Sequence, residues 1–240
     1  MTATLRTVVL VHGAFAESSS WNGVIPRLVA EGLRVIAAPN PLRSLDGDAA
    51  TVRSILASID GPIVAVGHSY GGSVISNAAV GVDSVKALVY VAGFAPEAGE
   101  SIAELSGRFP GSTLGDTLHA VELADGTTDL FIQPELFQQQ FAADVADEQA
   151  RLDAATQRPL NTAALHGASA EPAWKAVPSS FVFPTADYNI PVEAHRFMAE
   201  RAGSVETVEV ADASHALPVS QPDVVADVII RAARSVATAG

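Results

Sequence analysis

Short apolar runs rich in β-branched residues recur along the chain, and most are followed by a segment whose apolar residues have helical spacing. Runs of this kind predict strands buried on both faces of a parallel sheet. The predicted strands are residues 7–11, 34–38, 63–66, 87–92, 181–183 and 205–210. The predicted helices are residues 21–31, 46–60, 72–81, 191–202 and 222–237. Right-handed crossovers between such units give an α/β fold, a mostly parallel six-stranded sheet with helices on both faces.

The alternation of strands and helices lapses in the middle of the chain. Two short apolar segments, residues 119–123 and 129–132, flank Asp125-Gly126 and predict a small hairpin. A helix with an apolar stripe is predicted over residues 134–151. We therefore expect an insertion that covers the sheet as a cap. The expected division of the chain is a core of residues 1–97 and 174–240 with a cap insertion of residues 98–173.

Length, charge and cysteine content narrow the classes of protein to consider. The 240 residues are 48% hydrophobic, which is enough for one large domain with a buried core. A formal net charge of −13 argues against nucleic acid and anionic membranes as partners. The absence of cysteine excludes disulfides, thiolate metal sites and a cysteine nucleophile. No leader pattern opens the chain and no apolar run approaches the roughly 18 residues of a membrane span, so a cytoplasmic location is expected.

The third predicted strand leads into Gly67-His68-Ser69-Tyr70-Gly71, which fits the Gly-x-Ser-x-Gly pattern of a nucleophile elbow. Glycines on both sides let the backbone turn sharply, and the helix that follows directs its amino end at Ser69. The pattern predicts Ser69 as a nucleophile and the Tyr70 N–H as a hydrogen-bond donor to an oxyanion. The alternative is a glycine-rich turn between strand and helix with no part in catalysis.

A serine nucleophile needs a neighbouring base, and histidine is the expected one. His215 lies in a loop after the last predicted strand, late in the chain, where the order serine, acid, histidine places the base. The other histidines lie beside loop glycines, in the predicted cap or inside a helix: His12, His68, His119, His166 and His195. His215 is therefore the predicted base.

Three carboxylates compete for the position that orients this base. Asp187 follows the fifth predicted strand, next to the strand that leads to His215, and could accept a hydrogen bond from the imidazole. Its other interpretation is a turn residue before Pro191. Glu97, after the fourth strand, is the rival, and Asp212 is poorly placed because it lies so close to His215 along the chain. The predicted acid is Asp187.

The loop after the first strand supplies the second candidate oxyanion donor. An oxyanion hole needs two N–H donors, and the second is expected from the loop that follows the first strand. The Ala14 N–H, directly after His12-Gly13, meets this requirement without any side-chain chemistry.

The chain resembles the α/β-hydrolase superfamily over nearly its full length, and within it the group of plant methyl esterases and hydroxynitrile lyases. The matching segments are residues 9–14 with Trp21 downstream, 67–72, 90–96, 157–160, 185–187 and 190–191. The resemblance implies a catalytic triad of Ser69, His215 and Asp187. It also implies an oxyanion hole formed by Ala14 and Tyr70.

Two departures distinguish the chain within that group. Hydroxynitrile lyases of this type carry threonine where this chain has Gly13 and lysine where it has Ala216. Without that lysine no cation holds a departing cyanide, so ester hydrolysis is favoured over lyase chemistry.

These residues predict a cofactor-free serine esterase that cleaves a small carboxylic ester or lactone through an acyl-enzyme on Ser69. The expected substrate is small and apolar or aromatic, and no cofactor or metal is implied. Four aromatic residues are candidates to line its pocket or, as an alternative of equal weight, to form the core of the cap: Phe109, Phe131, Phe137 and Phe141. A lyase or perhydrolase reaction on the same scaffold and a small-molecule receptor are the alternatives. Formation of a homodimer is left open.

Overall fold

A computed structural model of the chain describes residues 6–237. The strands are β1 Thr7–Val11, β2 Arg34–Ala38, β3 Ile63–His68, β4 Val85–Val91, β5 Leu118–Glu122, β6 Thr128–Ile132, β7 Leu160–Asn161, β8 Ser179–Pro184 and β9 Glu206–Val210. The α-helices are α1 Val24–Ala30, α2 Leu45–Ala57, α3 Tyr70–Ala78, α4 Ile102–Arg108, α5 Leu114–Thr117, α6 Pro134–Phe141, α7 Asp147–Thr156, α8 Thr162–Leu165, α9 Val192–Arg201, α10 Leu217–Ser220 and α11 Pro222–Ala237. Two short 3₁₀ helices span Ser18–Trp21 and Ala173–Lys175.

The main sheet has six strands in the order β2-β1-β3-β4-β8-β9, and every neighbouring pair is parallel. This arrangement confirms the α/β fold class predicted from the alternating pattern. Since the strands are parallel, their carboxyl ends meet at one edge of the sheet, and the loops after β1, β3, β8 and β9 converge there.

Alternate residues of the central strands face opposite layers of helices, as strand geometry requires. In β1, Val9 and Val11 pack in the core formed with α2, α3 and α9. Val8 and Leu10 point the other way, into the core formed with α1 and α11. Because both faces are covered, β1, β3 and β8 are buried at every residue. The uninterrupted apolar runs of the sequence have this physical origin.

Residues 98–173 form a layer over the face of the sheet that carries α2, α3 and α9. The predicted hairpin is confirmed, because β5 and β6 pair antiparallel with Leu118 opposite Ile132. A third strand that the sequence pattern did not predict, β7, pairs with β6 through Leu160 and Asn161. The apolar residues of this layer, among them Ile102, Ile132 and Phe141, belong to the same core as α2 and α3.

Two predicted helices differ from the structure by more than a shift of their end residues. The helix predicted over residues 134–151 is wrong as a single element, since α6 and α7 are separate. Ala142 leaves the helical conformation with φ −136° and ψ 43°. Asp147 and Glu148 then lie in the first turn of α7, where acidic side chains favour the start of a helix. The helix predicted over residues 21–31 begins instead as a 3₁₀ turn that ends at Trp21, followed by α1.

The expected division into a core and a cap insertion stays a prediction. Of its ranges, residues 1–5 and 238–240 lie outside the described part of the chain. Among residues 6–237, no helix is both long and apolar enough to cross a membrane.

Candidate active site

The turn between β3 and α3 forces Ser69 into an unusual backbone conformation. Ser69 has φ 53° and ψ −123°, a region that residues with a side chain rarely adopt. The chain around it is too close-packed for side chains. A Cβ atom on Gly67 would lie 2.4 Å from the Gly71 carbonyl oxygen, and one on Gly71 would lie 2.4 Å from the Val11 carbonyl oxygen. The glycines of the predicted elbow are thus required by space, and they hold Ser69 at the edge of the sheet.

The loops after β8 and β9 bring Asp187 and His215 together. His215 Nδ1 lies 2.7 Å from Asp187 Oδ2, and both side chains are buried. The backbone N–H groups of Asn189 and Ile190 donate to Asp187 Oδ1 at 2.8 and 2.9 Å. The carboxylate therefore holds the imidazole with Nδ1 protonated, which leaves Nε2 as the free acceptor.

Asp187 is ionised despite its burial. Burial acts to raise the pKa of Asp187, but the charge of His215 and the hydrogen bonds from two histidines outweigh it. Together they hold the pKa of this carboxyl well below its usual range. A buried carboxylate of this kind can stabilise the imidazolium that forms when His215 takes up a proton.

Ser69 and His215 line the same cavity. Across the described residues, no hydrogen bond joins the Ser69 hydroxyl to the His215 ring. Catalytic hydrogen bonds between a nucleophile and its base are often long in free enzymes and tighten in the substrate complex. The structure thus brings the two predicted residues to one site without a formed bond between them.

The two predicted oxyanion donors, Ala14 and Tyr70, line this cavity as well. In the part of the chain that the structure describes, neither backbone N–H donates to another backbone group. Tyr70 is the first residue of α3, where N–H groups have no partner within the helix. Both donors are therefore available to a ligand oxygen beside Ser69.

His12 braces the loop that carries Ala14. Its Nδ1 lies 2.9 Å from the Gly13 carbonyl oxygen, and its Nε2 accepts from the Asn40 N–H at 3.2 Å. Burial lowers the pKa of His12 to about 4, so the ring is neutral at pH 7. This histidine holds the shape of the loop.

The structure brings neither rival acid to His215. Glu97 forms an ion pair with Lys175 at 2.6 Å on the surface. Asp212 has φ 58°, and its N–H donates to Thr185 Oγ1. Asp187 alone of the three candidates contacts the predicted base.

Two further histidines lie against the predicted triad, and sequence reasoning gave neither a role. His68 Nε2 lies 3.0 Å from the His215 carbonyl oxygen, and burial lowers the pKa of His68 to about 3. His195 Nε2 lies 3.2 Å from Asp187 Oδ2, the oxygen that also contacts His215. The sequence signal for His195 was its place on the apolar face of a helix just after the acid loop, but that signal is shared by many structural histidines.

The cavity is walled mainly by apolar side chains. Residues 98–173 supply much of this wall, namely Ile102, Ser106, Leu114, Leu118, Leu130, Phe141, Leu160 and Leu165. Of the four phenylalanines expected to line it, only Phe141 does so. Phe137 lines a neighbouring cavity, Phe109 packs on Phe197, and Phe131 lies on β6. Between residues 6 and 237 no cluster of histidine, aspartate or glutamate has a metal-binding arrangement.

Known proteins with a similar fold include several ester-cleaving enzymes. The chain superimposes on polyneuridine aldehyde esterase with a TM-score of 0.81 and 19% identity, covering 95% of this chain and 99% of that one. A methylesterase from Arabidopsis gives a TM-score of 0.80 with 17% identity, covering 96% and 100%. These similarities extend over the whole fold, including the layer formed by residues 98–173.

Sequence comparison leads to the same group of folds. A pyrethroid hydrolase from Sphingobium wenxiniae is 26% identical over 256 residues, which cover 94% of this chain and 87% of that protein. The sequence model of the alpha/beta hydrolase family matches residues 8–228, nearly the whole chain. The chain therefore belongs to the alpha/beta hydrolase family.

Proposed function

We propose that this protein is a cofactor-free serine hydrolase that cleaves a small carboxylic ester or lactone through an acyl-enzyme on Ser69. The observation that carries the proposal is the buried Asp187–His215 pair, whose His215 lines the same apolar cavity as Ser69. Membership of the alpha/beta hydrolase family supports it.

In the proposed reaction His215 Nε2 takes the proton of the Ser69 hydroxyl as its oxygen attacks the ester carbonyl. The carbonyl oxygen becomes an oxyanion, which accepts hydrogen bonds from the Ala14 and Tyr70 N–H groups. His215 then gives its proton to the leaving alcohol. Water attacks the acyl-enzyme with His215 again as base, which releases the acid and restores Ser69.

The space at Gly13 supports hydrolysis over lyase chemistry. A Cβ atom on Gly13 would lie 2.6 Å from Ser69 Cβ and 2.8 Å from the His68 carbonyl oxygen. This backbone therefore has no room for the threonine that hydroxynitrile lyases carry here. Ala216, which is buried next to His215, provides no cation for a departing cyanide.

The wall of the cavity indicates the substrate class. Apart from His215 the residues that line it carry no ionisable side chain at neutral pH, since Ser69, Tyr70, Ser106 and Asn189 are its polar members. A charged substrate would lose its hydration here without gaining a partner. We propose a small, uncharged, apolar or aromatic ester. Several similar proteins are named as esterases or as a pyrethroid hydrolase, which supports this substrate class.

We further propose that residues 98–173 act as a cap over the site, because their side chains form much of the cavity wall. A cytoplasmic location stays a prediction from the sequence.

The decisive test compares Ser69→Ala with a matched control, Ser73→Ala, on a panel of short-chain, aromatic and lactone esters. Ser73 lies on α3, one turn after Ser69, and its hydroxyl is buried. We expect Ser69→Ala to abolish turnover and labelling by a fluorophosphonate, with kcat lowered on the order of 10⁴- to 10⁶-fold. Ser73→Ala should retain both.

Three kinds of result would contradict the proposal. Ester turnover that survives in Ser69→Ala would place the nucleophile elsewhere. Saturable ligand binding with no product release by the wild-type protein would favour a receptor. Cleavage of a carbon–carbon bond, or peracid formation with hydrogen peroxide, would favour the other reactions on this scaffold.

A further inference from the structure

Asp187 Oδ2 contacts two histidines. His215 Nδ1 lies 2.7 Å from it and His195 Nε2 lies 3.2 Å from it. His195 belongs to α9, and its side chain is completely buried. The chemistry proposed above uses only His215, which leaves a second buried imidazole on the same carboxylate without a role.

The contacts of His195 define its protonation. An ionised carboxylate oxygen can only accept a hydrogen bond, so His195 Nε2 carries the proton. His195 Nδ1 has no hydrogen-bond partner among the described residues. Burial lowers the pKa of His195, so the ring is neutral. The Phe183 ring stacks on it at 5.0 Å between centroids and 9° between planes.

We propose that His195 is a positioning residue that tunes His215 through Asp187, by donating a hydrogen bond to the oxygen that also accepts from His215. This inference rests on the proposed function, because it assigns a role within the proposed triad. The donated bond holds Oδ2 in place and withdraws negative charge from it. His215 is then less strongly stabilised as an imidazolium.

Other ionisable groups face His215 and must be separated from this effect. His68, at the end of β3, lies 5.0 Å from His215 between ring centroids. Its pKa of about 3 means that it does not change charge between pH 5 and 8. Asp144 contacts Ser214, the residue before His215. Asp187 stays ionised over the same range because its pKa is held below its usual value.

The test measures kcat/KM against pH for three enzymes: wild type, His195→Phe and His195→Gln. Phenylalanine keeps a flat ring against Phe183 without a donor, whereas the glutamine amide nitrogen reaches about as far as Nε2. In His195→Phe we expect the rise of kcat/KM with pH to occur at higher pH than in the wild type. This shift lowers kcat/KM at pH 6 by roughly three- to tenfold. His195→Gln should return the profile toward that of the wild type.

Phe183→Leu is the matched control for packing. It removes the ring that stacks on His195 but leaves the bond from His195 to Asp187. We expect a lower melting temperature with an unchanged pH profile. An active His195→Phe enzyme with the wild-type pH profile would overturn the inference while leaving the proposed function intact.

A measurement on the wild-type protein decides the question where a variant does not fold. In protein labelled with ¹⁵N-histidine, we expect His195 as the Nε2–H tautomer, with a resonance that shifts when a fluorophosphonate labels Ser69 and His215 takes up a proton. A His195 ring protonated on Nδ1, or a resonance insensitive to labelling, would overturn the inference. Failure of the label to react with Ser69 would instead contradict the proposed function.

Discussion

At the residue scale, the candidate site depends most on Asp187. Its two oxygens accept from two backbone N–H groups and two imidazoles, all of them buried. A neutral side chain of the same shape cannot satisfy these donors, because an amide presents N–H groups where two imidazole N–H groups already point.

We expect Asp187→Asn to lower kcat on the order of 10⁴-fold, since His215 would lose the partner that fixes its tautomer. Steady-state kinetics on a reactive ester measure the effect. Glu97→Gln, which changes the rival carboxylate in its surface ion pair with Lys175, should have little effect on kcat. The reverse pattern would assign the acid to Glu97.

At the element scale, the end of α6 holds both loops of the candidate site. Gln140 Nε2 donates to the Tyr188 carbonyl oxygen at 2.8 Å and to Asn189 Oδ1 at 2.9 Å, beside the acid. The Phe141 carbonyl oxygen accepts from the Ala216 N–H at 2.9 Å, beside the base. The break after α6 that the helical pattern missed is therefore one place where residues 98–173 contact the candidate site.

We expect Gln140→Leu to free the acid loop and lower kcat about tenfold, because a small displacement of Asp187 weakens its hold on His215. KM for a small ester should change less than kcat. Gln138→Leu is the matched control, since Gln138 lies on the same helix but bonds to Asp147 away from the site. Equal losses of kcat in the two variants would contradict this role of Gln140.

The elements that could be predicted from the sequence are those whose side chains alternate regularly between two environments. Strand β1 alternates between two cores, and Ser69, Asp187 and His215 follow strands whose carboxyl ends must meet, so their convergence could be inferred. Strand β7 has only two residues and exists because it pairs with β6, which no local pattern encodes. The contact of His195 depends on how α9 lies against the acid loop, and that packing is set by the whole fold.

At the scale of the whole molecule, the buried neutral histidines link stability to pH. An unfolded histidine takes up a proton near pH 6.5, whereas the folded chain holds the pKa of His12 at about 4 and that of His68 at about 3. Between these values the unfolded chain binds more protons than the folded one. The free energy of unfolding therefore falls as the pH falls from about 6.5 toward 4.

Within that window, each such histidine should lower the free energy of unfolding by about 1.4 kcal/mol for each unit by which the pH falls. Urea unfolding at several pH values between 7 and 4.5 measures the slope. We expect His12→Asn to remove the contribution of one proton from the slope of unfolding free energy against pH. Asparagine can replace the Nδ1 donor but does not titrate. His119→Asn, on exposed β5, should leave the slope unchanged. A wild-type stability that is flat over this range would contradict the neutral state of His12 and His68.

The backbone around Ser69 is closely packed whereas the cavity wall formed by residues 98–173 consists of replaceable side chains, and this difference limits how the enzyme can evolve. No side chain fits at Gly13, Gly67 or Gly71, so a substitution at any of them is expected to distort the backbone around Ser69 and abolish activity. Residues 98–173 contribute five leucines, Ile102, Ser106 and Phe141 to the cavity wall, where replacement changes the volume of the cavity and leaves Ser69 in place. New substrate ranges are therefore expected to arise from that wall, and a mutant library confined to it should contain a far larger share of active clones than one directed at the elbow.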